Sequence, residues 1–207
     1  GDGVADKKEF FANGFGRGGN VEHQQAHLTW AMDNWLYSTY NSVRLRWTPT
    51  GVLREPTGNP GGAWGVTQDN FGKTYIQGGA SGQPGYFQFP IVYGNFNWGA
   101  ERETDLTTPY GAAIGIADMQ GGMRRVRMPD GTLNHFTAAS GVEIYRGHRL
   151  PKDMVGDLFF TEPVGRIVRR AKVVVTDGLT QLKNAHPQSE FLRSTDPALH
   201  DPLCGAR

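Results

Sequence analysis

The strongest constraint on the fold is the way aspartate interrupts short apolar runs. "HLTWAMDNWLYSTY" reads as a strand, an Asp33-Asn34 turn and a second strand. "WGVTQDNFGKTYIQGG" turns at Asp69-Asn70 into Lys73-Thr74-Tyr75-Ile76, and "MRRVRMPDGTLNHF" carries Pro129-Asp130-Gly131 between two strand-like runs. Asp, Asn and Gly suit such places because they tolerate positive φ, and the Asp and Asn side chains also bond the local backbone. "RLRWTPTGVLRE" repeats the form around Gly51, with Arg44, Arg46 and Thr48 alternating against Leu45 and Trp47. "SGVEIYRG" and "GDLFFTEPVGRIVRRAKVV" add further strands. Helical periodicity is weak, and the best helix candidates are the short segments Lys7 to Ala12 and Leu179 to Asn184. An all-β fold is expected.

Composition agrees. The 207 residues include 29 glycines and 12 prolines, as a chain with many tight turns requires. The same residues in a disordered chain would lack a core, but here 11% of the sequence is aromatic and spread along its length. The turns at Asp33, Asp69 and Asp130 recur irregularly, with insertions between them. Such weak self-similarity suits a β-propeller with blades of roughly 40–50 residues, of which this length holds about four. A β-sandwich would also give short strands between turns. The Gly/Pro-rich stretch from Pro56 to Phe96, read as a long insertion loop, favours the propeller, with residues 1–207 as a single domain or a piece of one.

Lys plus Arg (21) nearly equals Asp plus Glu (20), so the net charge of +1 leaves no electrostatic case for nucleic acid. Arg124-Arg125-Val126-Arg127 and Arg166-Ile167-Val168-Arg169-Arg170 are read as solvent faces of strands. The lone cysteine, Cys204, permits neither an internal disulfide nor a cysteine-rich metal site. No apolar run approaches the ~20 residues of a membrane span, and no signal peptide is visible.

The segment "NVEHQQAHLTWAMDNWLY" resembles the sugar-dehydrogenase propellers, the glucose and sorbosone dehydrogenase type that use pyrroloquinoline quinone (PQQ). The branch it is most similar to is the membrane-bound dehydrogenase type of planctomycetes and acidobacteria. That pattern places a histidine ahead of an apolar strand, then Asp-Asn or Asp-Gly and a Leu-Tyr strand; here His23 precedes Asp33 by ten residues. "SGVEIYRGHRLPKDMVGDLFFTEPVGRIVRR" and "SEFLRSTDP" are similar to later blades of the same branch. The resemblance implies a six-bladed propeller that is incomplete here, in a bacterial protein working in the periplasm or secreted. It implies a sugar or alcohol substrate and an electron acceptor outside the chain, such as a cytochrome c domain. No Cys-x-x-Cys-His occurs, so no haem site is assigned.

The resemblance makes His23 the catalytic base, taking the hydroxyl proton as hydride passes to the quinone. An imidazole suits that work because its ordinary pKa of ~6.5 lies near working pH. A histidine satisfying backbone groups at a strand entrance is the alternative. His27 stands where the family carries a small residue, and is either a second polar site group or drift. Arg146, Arg166 and Arg169, with Arg149 nearby, are the cations offered to the three PQQ carboxylates, for which Arg has the best geometry. Val164 stands where some members carry a lysine.

"GDGVAD" matches the later half of a calcium loop, making Asp2 and Asp6 metal candidates and suggesting that the chain starts inside a longer protein. Glu101, Glu103 and Asp105 form an acidic cluster that reads as solvated surface, with carboxylate catalysis as the alternative. In "GGASGQPGYFQFP", Gly78, Gly79 and Gly82 lack the Gly-Lys-Ser/Thr of a phosphate loop. Tyr86, Phe87 and Phe89 beside them fit either a self-anchored loop or a platform that stacks on sugars. Two other functions remain open at this point. One is a non-catalytic propeller that binds carbohydrate or protein; the other is a calcium-dependent propeller hydrolase or lactonase.

Overall fold

The structure, a computed structural model, describes residues 1–15, 19, 24–57, 64–77, 84–86, 92–93, 96–97, 139–163, 165–177, 179–186 and 189–193. Among these the chain is all-β, with one short 3-10 turn at Lys152–Met154. The first sheet is a four-stranded antiparallel meander of β1 (Ala26–Trp30), β2 (Leu36–Thr39), β3 (Val43–Thr48) and β4 (Gly51–Pro56). β5 (Val66–Gln68), β6 (Thr74–Gln77) and β7 (Pro84–Tyr86) form a three-stranded sheet, and β8 (Val92–Tyr93) pairs with β9 (Phe96–Asn97). The third large sheet runs β10 (Ser140–Ile144), β11 (Leu158–Glu162), β12 (Ile167–Thr176), β13 (Leu179–Asn184). Its β12 is long enough for β14 (Leu192–Arg193) to pair with Ile167 and Val168 beyond the end of β13.

The aspartate turns form for the reason that made them visible in sequence. Asp33 Oδ1 accepts the Trp35 N–H at 3.0 Å while Asn34 takes φ +66°. Asp69 Oδ1 accepts the N–H groups of Phe71 and Lys73, each at 2.9 Å. In both cases the second carboxylate oxygen reaches a tyrosine hydroxyl on the following strand, Tyr37 at 2.6 Å and Tyr75 at 3.1 Å. The carboxylate therefore ties its turn to the core as well as shaping it.

The β5–β6 sheet packs against both of the larger ones. Val66 lies in one apolar cluster with Ala31, Trp35 and Tyr37 of the first sheet. Tyr75 lies in another with Val142, Ile144, Leu158, Phe160, Ala171 and Leu182 of the third. Burial of each valine, leucine, isoleucine and phenylalanine of that second cluster contributes about 1.5–3 kcal/mol relative to exposure. Polar links fix the register of the packing. The Thr29 hydroxyl donates to the Val66 carbonyl at 3.0 Å, and the Ile144 N–H donates to Thr67 Oγ1 at 3.3 Å. Gly65 fits closely at this junction, since a Cβ there would lie 3.1 Å from both Cγ1 and the backbone nitrogen of Val142, tighter than ordinary contact.

Four expectations need correction. Leu179–Asn184 is strand β13, not helix: Asp177, at φ +52°, turns the chain back so that Thr176 pairs with Leu179 and the segment runs along β12. Thr180 and Leu182 are buried while Lys183 is exposed, which is strand alternation. Lys7 to Ala12 holds no helix, because Phe10 is exposed and the segment has no buried apolar face to stabilise so short a helix. The stretch 56–96 contains β5, β6, β7 and β8 and is not one long loop. Arg169 and Arg170 are buried instead of facing solvent, because each is matched by a carboxylate. Trp47 is another departure from simple alternation; it is exposed while its neighbour Leu45 is buried. The Arg124–Arg127 cluster and the Pro129-Asp130-Gly131 turn lie outside the described residues.

Candidate functional site

His23 lies outside the described residues, just ahead of β1. His27 is exposed, at φ +58°, where the β1–β2 register shifts between Ala26 and Thr29. Behind this entrance the first sheet carries a dense polar cluster on one face. Arg44 donates from Nε and Nη2 to Glu55 Oε2 at 3.0 and 2.6 Å, and from Nη1 to the Tyr37 hydroxyl at 3.1 Å. Arg46 donates from Nη2 to the Asp33 carbonyl at 3.0 Å. Both guanidiniums stand over the Trp35 ring, at 4.3 and 4.1 Å from its centroid. The spacing explains the stack: Leu36 pairs with Leu45, so Trp35 faces Arg46 and Tyr37 faces Arg44.

Burial, reinforced by the hydrogen bond to Asp33, pushes the Tyr37 phenol up to about 12. At neutral pH the cluster therefore holds two cations, two carboxylates and a protonated tyrosine. Its charges balance, so it locks the first turn and orients Trp35; it does not present an excess of positive charge to an anionic ligand.

The third sheet carries a second set of charges. Arg169 Nε donates to Glu190 Oε2 at 3.0 Å, and both side chains are almost fully buried. Arg170 Nε donates to Asp157 Oδ2 at 2.6 Å, and its Nη2 reaches the Asp153 carbonyl at 3.1 Å and the Asp153 carboxylate at 3.3 Å. Burial raises the Asp157 carboxyl above its ordinary value in spite of the Arg170 charge. Asp157 precedes β11 as Asp33 precedes β2, but its partner is an arginine where the other two turns use a tyrosine. His186 lies near this pair. Burial and then the Arg170 and Lys172 charges lower its pKa, and its Nε2 is buried without a hydrogen-bond partner.

Among the other cofactor candidates, Arg146 is exposed and 3.6 Å from Glu143. Arg149 is exposed in the segment after β10, where the Leu150 N–H donates to the Tyr145 hydroxyl at 2.6 Å. The Tyr-x-Gly pattern there has a steric cause, since a Cβ on Gly147 would lie 2.7 Å from the Tyr145 ring. Arg166 occupies the turn before β12 at φ +52°. The Arg169 guanidinium is held inside the sheet by Glu190, a placement that suits a structural pair better than a cofactor contact.

Asp2 and Asp6 are both exposed, and Asp2 Oδ1 accepts the Val4 N–H at 2.9 Å. Two carboxylates fall short of the roughly six to eight oxygens of a calcium shell. Among the described residues no group of three or more His, Cys, Asp or Glu is placed to hold a metal ion. Nor is any helix there long and apolar enough to cross a membrane. Glu101, Glu103, Asp105, the glycines at 78, 79 and 82, Phe87, Phe89, Val164 and Cys204 lie outside the described residues; of Tyr86 only the backbone, in β7, is described.

Sequence reasoning passed over the Asp157–Arg170 pair and the Arg44–Trp35–Arg46 stack. A signal for each was present. Asp157 follows Gly156 directly before an apolar strand, as Asp33 lies three residues ahead of β2, and the stack is an i, i+2 arginine pair on a strand whose neighbour is preceded by tryptophan.

Residues 1–202 match the sequence model of the family described as "Domain of unknown function (DUF7133)", and the chain belongs to that family. No curated protein sequence and no solved structure matches it.

Proposed function

We propose that the chain forms part of a β-propeller of the sugar-dehydrogenase kind, whose parent protein oxidises a sugar or alcohol hydroxyl in the periplasm. The observation that carries this reading is a repeated unit. Two of the sheets contain a four-stranded antiparallel meander, and in the first two sheets an aspartate between the first and second strands ties its turn to a tyrosine on the second. Meanders of this form, packed face to face in chain order, are how propeller blades are built. His23 stands immediately before the first of these units, where the resembling enzymes carry their base.

In this reading a bound quinone would supply a two-electron acceptor, and His23 would be the group that takes the hydroxyl proton. The imidazole must be neutral to accept the proton.

The arginines favour a second reading. Arg169 and Arg170 are each committed to buried carboxylates, which takes Arg169 out of the set of cations offered to a tricarboxylate cofactor. A propeller that binds carbohydrate or protein without redox chemistry fits that arrangement.

Reconstitution with PQQ and calcium separates the two. The dehydrogenase reading expects a cofactor absorption change on binding and aldose-dependent dye reduction, with His23→Ala abolishing reduction but not binding. Absence of both signals, with His23→Ala indistinguishable from the parent, removes it. Retention on immobilised glycans then tests the binding reading.

A further inference from the structure

Asn13-Gly14 is the one Asn-Gly pair in the sequence, and it lies in the irregular segment ahead of the first sheet with both residues exposed. The end of the Arg54 side chain, from β4, rests on this peptide. Its Nη2 donates to the Asn13 carbonyl oxygen. Gly14 takes φ +86°, and a Cβ there would lie 2.9 Å from Nη1 and 3.1 Å from Nη2. A side chain there would displace the guanidinium, and the positive φ itself favours glycine.

We infer that Asn13 is a site of Arg54-assisted deamidation, a covalent modification built into the contact between the N-terminal segment and β4. The nucleophile is the Gly14 backbone nitrogen. It loses its proton and attacks Cγ of Asn13; the bond from Cγ to the side-chain nitrogen breaks, and ammonia leaves, carrying the added proton. The product is a five-membered succinimide. Water then opens one of its two carbonyls, giving aspartate when it adds at Cγ and isoaspartate when it adds at the main-chain carbon. The net change is asparagine plus water to an acidic residue plus ammonia, with no oxidation or reduction.

Three features favour the step. Deprotonating the Gly14 nitrogen spreads negative charge onto the Asn13 carbonyl oxygen, the atom that receives the Arg54 hydrogen bond. A charged donor aimed at an oxygen where charge develops stabilises that state more than the ground state. Glycine after the asparagine removes the side chain that would crowd the attack. Finally, the exposed, irregular backbone is free to bring the nitrogen to Cγ, which helix or strand hydrogen bonds would resist. The product carboxylate forms next to the guanidinium that assisted it. An arginine–amide contact thereby becomes an ion pair, and in the isoaspartyl form the main chain gains one carbon between the N-terminal segment and the sheet.

The test is a time course of the intact protein at mildly alkaline pH. Peptide mapping by mass spectrometry follows the gain from replacing amide with acid, and an isoaspartyl methyltransferase assay identifies the isomer. Asn13 is expected to convert faster than Asn34, Asn41 and Asn70 in the same sample. Arg54→Ala is expected to slow Asn13 by about tenfold, the worth of one charge-assisted hydrogen bond to a developing anion, with Arg54→Lys in between. In denaturant the parent and Arg54→Ala should react at the same rate, so the difference belongs to the folded contact and does not depend on how stable the variant is. Slow conversion of Asn13 relative to the other sites overturns the proposal. So does a folded Arg54→Ala protein that reacts as fast as the parent or faster, which would make Arg54 a clamp that protects the asparagine.

Discussion

Replacing Arg170 with methionine isolates the cost of a buried charge. Methionine keeps much of the side-chain volume but removes the guanidinium from Asp157, whose residue is only 7% exposed. The Nε–Oδ2 bond of 2.6 Å is lost, together with the Nη2 contact of 2.6 Å to the same oxygen. Asp153 loses its contact as well, but its side chain is 70% exposed and water replaces the arginine there. The penalty therefore falls on Asp157. Two charges about 4 Å apart attract by about 4 kcal/mol at an effective dielectric near 20. Breaking one side of a buried pair costs about 3–5 kcal/mol for the same reason. For a chain of this size that lowers the melting temperature by about 6–20 °C.

Asp157→Asn in the same background removes the stranded charge, so the double variant should be more stable than Arg170→Met alone. The single variant should also recover part of its deficit on acidification, as Asp157 takes up a proton. Thermal and urea unfolding followed by circular dichroism measure all four proteins of the cycle. A melting temperature for Arg170→Met within about 2 °C of the parent, or losses that simply add in the double variant, would refute the reasoning.

Two further outcomes rest on titration. The folded-state pKa of Tyr37, about 12, lies above its unfolded value of 10, so the protonated tyrosine contributes stability that is whole below pH 10 and lost as pH rises toward 12. The loss is about 2 kcal/mol after allowance for solvent screening, and Tyr37→Phe should flatten that part of the stability–pH curve measured by urea unfolding. His186 titrates below its ordinary 6.5, so the unfolded chain binds the proton more readily; the stability contribution of neutral His186 is whole above pH 6.5 and falls away at lower pH. His186→Phe, which also removes the unpartnered Nε2 and keeps a ring against Phe191, should lose less stability on acidification than the parent.

The turns were the legible part of this sequence because they are local. Asp33-Asn34 and Asp69-Asn70 carry their own hydrogen-bonding groups, with positive φ at Asn34 in the first turn and at Gly72 in the second, so four or five residues suffice to specify each. Asp177-Gly178 is an equally local signal. It was masked by leucines at 179 and 182, whose three-residue spacing suits a helix as well as a strand. What decided between them was the valine-rich β12 alongside, a partner that periodicity within six residues cannot reveal.

The charged residues were legible as charges but not as to location. Arg169 and Arg170 sit among apolar residues on consecutive positions of β12 and so point to opposite faces of the sheet, and nothing nearby in sequence announces Glu190 for the first or Asp157 for the second. The site was legible only as a motif: the sequence names His23 and its distance from Asp33, while the surroundings of a base depend on segments far apart along the chain.

Sequence alone thus determined the all-β class and the aspartate turns, because those depend on φ, ψ and side chains within a few residues. Tertiary structure decided which arginines are buried, which strand Leu179–Asn184 joins, and that the Asn13–Gly14 peptide lies beneath Arg54. Those outcomes rest on contacts between separate strands and segments, where the energy of burial and pairing overrides local preference.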